Sequence, residues 1–193
     1  MITELIYISI YSYILGSIPF GLVLAKIFLK KDIRKFGSGN IGATNVLRTG
    51  NKFLGALTLL LDGLKAYISV SITLNFSPDY IYFSALFCFL GHIFPVWLKF
   101  KGGKGIAVYL GVLFAISLNL GFIFIITWII ILFTSKYSSL SSIISSMIIF
   151  LYSLALNNFN ISLFFFIIFT IIIYTHRGNI LRIKDKTENK TNF

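Results

Sequence analysis

Long uninterrupted apolar runs constrain this chain more tightly than anything else in it. They cover approximately residues 4–28, 52–75, 79–98, 104–118, 119–135, 140–157 and 160–175. None shows the two-residue alternation of a half-buried strand or the narrow stripe of a water-facing helix. A helix that crosses a bilayer core about 30 Å thick needs about 20 apolar residues, which the first three runs and the sixth supply. The runs at 104–118 and 119–135 are short at about 1.5 Å per residue. They read as a tight hairpin of two tilted helices or as a partly re-entrant pair. With 57% hydrophobic residues and a mean hydropathy of +0.90, a soluble domain of this length has no interior large enough to hide them. The expected fold is therefore all-α, a polytopic membrane helix bundle of about seven transmembrane helices. No polar stretch is long enough to fold separately, so residues 1–193 read as a single integral membrane domain. The first run has no Lys/Arg-rich start and passes straight into polar sequence, so no cleavable signal is evident.

The charges support this map. Lys30, Lys31, Arg34, Lys35, Arg48 and Lys52 fill the connection after the first run. Lys99, Lys101 and Lys104 follow the third, Lys136 the fifth, and Arg177, Arg182, Lys184, Lys186 and Lys190 the seventh. The intervening connections near Asn75–Asp79, Asn119 and Asn157–Asn160 hold no Lys or Arg. Under the positive-inside rule this places the N-terminus outside and the C-terminus in the cytoplasm. The net charge of +11 suits an anionic lipid or an anionic substrate. It does not suit nucleic acid, because the basic residues sit in short loops with no basic helix or aromatic-laced sheet to carry a backbone. The single Cys88 lies inside an apolar run and founds neither a disulfide nor a metal site.

Three polar constellations break the apolar background. The first is Gly37-Ser38-Gly39-Asn40-Ile41-Gly42-Ala43-Thr44-Asn45-Val46-Leu47-Arg48. Glycines let backbone N–H groups approach an anion, while Ser38, Asn40, Thr44 and Asn45 add neutral hydrogen bonds and Arg48 a fork suited to phosphate. Thr44 and Arg48 share a face if a helix resumes there. The bland alternative is a flexible loop. No strand precedes the run, so this is not a dinucleotide fingerprint. The second comprises Gly91-His92-Ile93-Phe94-Pro95 and Lys101-Gly102-Gly103-Lys104-Gly105. Its amides and lysines read as an anion site, with a topology-setting basic loop as the alternative. The spacing is not that of a Walker loop. His92 reads equally as a structural or a working histidine.

The third constellation, Tyr174-Thr175-His176-Arg177-Gly178-Asn179, falls where the last run meets the inner surface. His176 suits a proton acceptor, and Asn179 three residues on shares its helical face. The alternative is an interfacial anchor, which suits Arg177 better than His176. Serines 138–142 read first as helix caps. Asp62 and Lys65, three apart inside a span, read as an ion pair packed in the bundle. There is no His-x-x-x-x-Asp motif, no Gly-x-Ser-x-Gly elbow and no metal-ligand set. No metal and no cofactor are expected.

Taken in order, Leu15-Gly16-Ser17-Ile18-Pro19, residues 37–45, 100–105 and His176-Arg177-Gly178-Asn179-Ile180 resemble the bacterial acyl-phosphate-dependent glycerol-3-phosphate acyltransferases, the PlsY family. The resemblance runs from about Tyr13 to Glu188. It implies a helical membrane fold in the bacterial inner (plasma) membrane with its active site facing the cytoplasm. It implies transfer of a fatty acyl group from acyl phosphate to the sn-1 hydroxyl of glycerol 3-phosphate, giving lysophosphatidic acid and phosphate, the first step of phospholipid synthesis. The enzyme that makes acyl phosphate then becomes a candidate partner beside the two substrates and membrane lipid. By motif, Ser38, Arg48, Lys104, His176 and Asn179 fall at catalytic positions. Gly39, Asn40, Gly42, Thr44, Asn45, Lys101, Gly102, Gly103, Gly105 and Ser142 fall at substrate-binding ones. Glu188 falls at a tail glutamate with a structural role, as Asp62 and Lys65 do by the ion-pair reading. Lys186 departs from the Gly common at its position, and Lys136 replaces a common Arg.

Two phosphate-bearing substrates need two anion pockets, and two clusters of Gly with Lys or Arg are present. The acyl donor is already activated, so direct attack by the glycerol hydroxyl needs orientation and charge stabilisation more than a covalent intermediate. His176 or a substrate phosphate takes the proton, and an acyl-Ser38 intermediate is the secondary variant. The rival class is an anion transporter, which places polar groups at the bilayer midplane on repeats. Here they gather at one interface and no repeat is visible.

Overall fold

The computed structural model describes residues 1–191, and among these the regular structure is helical with no strand. The helices are α1 (Ile2–Gly16), α2 (Phe20–Phe28), α3 (Ala43–Leu47), α4 (Lys52–Phe76), α5 (Ile81–Ile93), α6 (Ile106–Ile116), α7 (Leu118–Ser135), α8 (Ser138–Ala155) and α9 (Phe159–Lys184). Six stretches are long and apolar enough to cross a membrane: Ile2–Phe28, Lys52–Phe76, Pro78–Leu98, Leu118–Ser135, Ser138–Ala155 and Phe159–Lys184. The shorter apolar helix α6, of 11 residues, brings the apolar segments to the seven expected. At about 1.5 Å per residue it is too short to cross alone.

Three boundaries differ from the expectation for local reasons. The first span is broken between α1 and α2, where Pro19 brings no N–H to the helix ladder. Segment four begins at Ile106 because Lys101–Gly105 is not helical, and Gly105 turns the chain with φ +85°. The last helix runs nine residues beyond 175, to Lys184. His176 and Asn179 therefore lie on α9, not past its end.

Contacts divide the chain into two compact units, the first Met1–Ile116 and the second beginning at Ser117. In the first, α4 is the hub and packs on α1, α2, α3, α5 and α6. Close packing depends on glycine. A side chain on Gly16 would overlap the Cys88 carbonyl of α5, and one on Gly111 the Gly63 carbonyl of α4. Such small-residue contacts are how membrane helices gain dispersion energy without a hydrophobic driving force. In the second unit, α8 packs on both α7 and α9.

Burial is reversed relative to a soluble domain. Ser12, Thr58, Asp62, Lys65, Ser69, Ser84, His92, Ser145, Ser146 and His176 are buried, while Ile6, Leu60, Phe122, Ile126, Phe133 and Phe166 are exposed. An apolar exterior is what lipid requires. Some of these interior polar groups bond across helices, as in Ser12 Oγ to Ser84 Oγ at 3.0 Å and Ser69 Oγ to Ser84 Oγ at 3.1 Å, while Thr58 and Ser146 bond carbonyls of their own helices.

Candidate active site

The first polar loop is built from its own residues. Asp32 caps a 3₁₀ turn at Ile33–Lys35 by accepting the Arg34 N–H at 3.0 Å. The Arg34 guanidinium also bonds the Asp32 carboxylate and holds it well below the usual carboxylate range. Beyond the turn, Asn45 organises the chain. Its Oδ1 accepts the Ser38 N–H at 2.9 Å. Its Nδ2 faces the carbonyls of Ile33, Phe36 and Asn40 at 3.0, 3.0 and 2.7 Å. Asn40 Oδ1 closes a smaller turn on the Gly42 N–H at 2.8 Å. Gly37 has φ +55°, and a side chain there would meet Asn45 Oδ1 and the Cδ of Arg48. Underneath lies a cluster of Leu22, Leu24, Ala25, Ile33, Ile41, Val46 and Leu54.

A helix does resume at Ala43–Leu47, with Arg48 as its C-cap, so Thr44 and Arg48 come onto adjacent turns. Ser38, Gly39 and Thr44 are exposed, and Arg48 is half-buried. Asn45 was expected among the substrate-binding groups. The structure commits its side chain to the loop's own backbone, which makes it a scaffold residue. Asn40 Oδ1 and the Gly42 N–H are likewise bonded to each other, which leaves the Asn40 amide NH2 outside that turn.

The second loop is fixed from outside. The Gly102 N–H donates to the Ile93 carbonyl and the Gly103 N–H to the His92 carbonyl, both at 3.0 Å. These two amides, expected to cradle an anion, instead hang the loop on the last turn of α5. A side chain on Gly102 would strike the His92 carbonyl, one on Gly103 the His92 ring, and one on Gly105 the Phe89 ring. The glycines thus answer to packing. The cationic part of the expectation stays with exposed Lys101 and half-buried Lys104. Beneath the loop, Asp62 and Lys65 pair at 2.8 Å, and the Lys65 Nζ lies 3.0 Å from His92 Nδ1. Nothing in the sequence flagged that second contact, because 27 residues separate the partners.

In the second unit, His176 and Asn179 are both buried on α9, one turn apart. His176 Nδ1 lies 2.9 Å from the Ile172 carbonyl. A carbonyl only accepts, so Nδ1 carries the proton and Nε2 is the basic nitrogen. Asn179 Nδ2 donates to Glu188 Oε1 at 2.6 Å. Glu188 also accepts from Arg182 Nε at 2.7 Å and Ser139 Oγ at 3.2 Å. Burial alone would raise its carboxyl, but the bonds from Asn179 and Arg182 outweigh this and hold it below the ordinary glutamate value. The tail also reaches Lys136, whose carbonyl accepts the Thr191 N–H at 2.8 Å. The Ser142 hydroxyl donates to the Ser138 carbonyl at 2.8 Å and accepts from Trp128 Nε1 at 3.1 Å. No group of three or more His, Cys, Asp or Glu that could hold a metal occurs among the described residues.

The fold and these loops define an integral membrane protein of several apolar helices whose polar loops carry cations on constrained backbones. The family described as glycerol-3-phosphate acyltransferase matches residues 6–186. A glycerol-3-phosphate acyltransferase of Pelagibacter ubique is 56% identical over 97% of this chain and 98% of its own length. One of Ehrlichia canis is 49% identical over 95% and 96%. A crystal structure of PlsY (YgiH), an integral membrane glycerol 3-phosphate acyltransferase in its glycerol 3-phosphate form, superposes with a TM-score of 0.92 at 39% identity. The match covers 98% of this chain and 96% of that one. The chain belongs to the glycerol-3-phosphate acyltransferase family.

Proposed function

We propose that this chain transfers a fatty acyl group from acyl phosphate to the sn-1 hydroxyl of glycerol 3-phosphate. The products are lysophosphatidic acid and inorganic phosphate. It works as a multi-pass protein of the bacterial inner membrane, with its N-terminus outside and its active site and C-terminus cytoplasmic. One observation carries the reading furthest. The chain has two separate loops, each with a cation on a backbone held in place: Arg48 on the Asn45-organised loop and Lys104 on the loop hung from α5. Two phosphate-bearing substrates call for two such loops, because a fixed donor set stabilises charge without reorganising during reaction.

In the proposed step the glycerol hydroxyl oxygen attacks the acyl carbonyl, and the carbonyl–phosphate C–O bond breaks. Phosphate leaves with the electron pair. The hydroxyl proton passes to His176 Nε2 or to a phosphate oxygen of a substrate. Arg48, Lys104 and Ser38 bind and orient the phosphates, and Asn179 and Ser142 contribute polar contacts. The enzyme that supplies acyl phosphate is a proposed partner.

Purified protein in lipid, given palmitoyl phosphate and labelled glycerol 3-phosphate with palmitoyl-CoA in a parallel tube, tests this. Lysophosphatidic acid from palmitoyl phosphate alone is expected. Product from palmitoyl-CoA instead would overturn the donor. No product from either, in folded protein, would overturn the reaction and bring the anion-transporter reading forward.

A further inference from the structure

Lys65 is 4% exposed inside the first unit, and its ammonium has three protons and three acceptors. Ile18 offers its carbonyl at 2.7 Å, Asp62 its Oδ1 at 2.8 Å and His92 its Nδ1 at 3.0 Å. An ammonium has no lone pair, so His92 Nδ1 accepts and the ring proton sits on Nε2. Each acceptor belongs to a different element: the break between α1 and α2, α4 itself, and the last turn of α5.

His92 in turn meets the second loop twice. Its carbonyl takes the Gly103 N–H at 3.0 Å. Its ring packs against the same glycine with the Nε2 end, where a methyl group would overlap Nε2 and both neighbouring ring carbons. The ring is therefore packed directly against the backbone one residue before Lys104. A pair that only tied α4 to the helix break would be complete with Asp62 and Ile18. The third bond, to a ring packed against the loop, adds nothing to that tie.

We propose that Lys65, acting through the His92 ring, is a positioning residue that sets where Lys104 presents its ammonium to a phosphate group. This rests on the reading of Lys104 as a phosphate-binding residue given above.

The test uses the full chain in lipid. Wild type is compared with His92→Leu, with His92→Asn (whose side-chain oxygen restores an acceptor near Nδ1) and with the neutral pair Asp62→Asn plus Lys65→Met. The pair is made together because Lys65→Met alone would strand a buried carboxylate. Three quantities are read: binding of inorganic phosphate by calorimetry, KM and kcat for both substrates, and the thermal midpoint. His92→Leu is expected to weaken phosphate binding about tenfold and to raise KM for one substrate similarly, an effect of the size that residues remote from a ligand exert. The midpoint should stay within about 4 °C. His92→Asn should recover most of the binding, and the neutral pair should behave as His92→Leu does. If His92→Leu fails to fold, the neutral pair carries the test with the same two outcomes.

Equal losses in His92→Leu and His92→Asn would overturn the proposal. So would a fall in folded protein with unchanged binding per folded molecule, or wild type that binds no phosphate. Wild type that binds phosphate but transfers no acyl group would overturn the acyltransferase reading alone, and the binding arm would still decide this one.

Discussion

The two glycine-bearing loops of the first unit reach fixed backbones by opposite routes. Residues 37–48 carry their own scaffold: Asn45 ties four backbone groups together and Asn40 a fifth. Residues 101–105 are held from outside, by the last turn of α5 and the ring it presents. A self-built loop keeps its shape through one or two side chains within a few residues. A borrowed loop keeps its shape only while a distant helix end stays in place. The glycines differ accordingly. In the first loop they supply positive φ at 37 and 39. In the second they supply room for another element at 102, 103 and 105, and only Gly105 there also has positive φ.

Substitutions at both loops sharpen this contrast. Gly103→Ala should have the largest effect, because its methyl overlaps a buried ring whose other nitrogen is bonded to Lys65. Overpacking of this kind costs about 1–3 kcal/mol in stability. Displacing Lys104 by an ångström should lower acyl transfer by about 100-fold on top of that. Rates per folded molecule separate the two. Asn45→Ala should come next. It removes a buried amide that serves four backbone partners, with an expected loss of about 2–3 kcal/mol in a denaturation midpoint. If Gly103→Ala proved milder than Asn45→Ala, the borrowed loop would be the more tolerant and the contrast would fail.

Gly39→Ala should cost less, about 1 kcal/mol, since its left-handed φ of +70° is strained for alanine while the nearest atom, the Arg34 carbonyl, stands 3.3 Å from the added carbon. The smallest effect at neutral pH belongs to the tail. Glu188 is held below its ordinary value. Its contribution is therefore fully present above the unfolded glutamate pKa of about 4.3 and is lost as pH falls through the depressed folded value. Protease cleavage of the tail should rise only in that acid range. Glu188→Gln should abolish the pH dependence and leave the tail looser at every pH. Acid-independent cleavage of wild type would show that the Lys136–Thr191 contact holds the tail alone.

The helical membrane fold was legible because lipid forces apolar runs to announce themselves, and because the three polar constellations interrupt them sharply. Ends of elements were less so. The spacing of His176 and Asn179 reads as one helical face, but nothing in the composition marks where that helix stops, and α9 runs on to Lys184. Within the loops, residue type was legible and residue duty was not. Asn45 has the chemistry of a ligand and is used as a joist. Gly102 and Gly103 have the freedom of an anion nest, and their amides answer to α5 carbonyls. Hydrogen-bond partners are set by the arrangement in space, which a single sequence does not print. Asp62 and Lys65 were readable as a pair because three residues on a helix is contact distance, whereas His92 was not.

That spacing matters before the protein has folded. Helix α4 must enter the bilayer with two ionisable groups near its middle, and each alone would cost about 2.5–3.5 kcal/mol at a helix centre on an insertion scale. Placed one turn apart on the same helix, Asp62 and Lys65 neutralise each other inside the nascent segment, before α5 is at hand. The membrane then receives a dipole in place of two ions. The spare donors of Lys65 stay available for the Ile18 carbonyl of the preceding helix break and for the His92 ring when α5 arrives. An isolated α4 bearing Asp62→Asn should therefore insert less efficiently than the parent segment, although it carries one charge fewer.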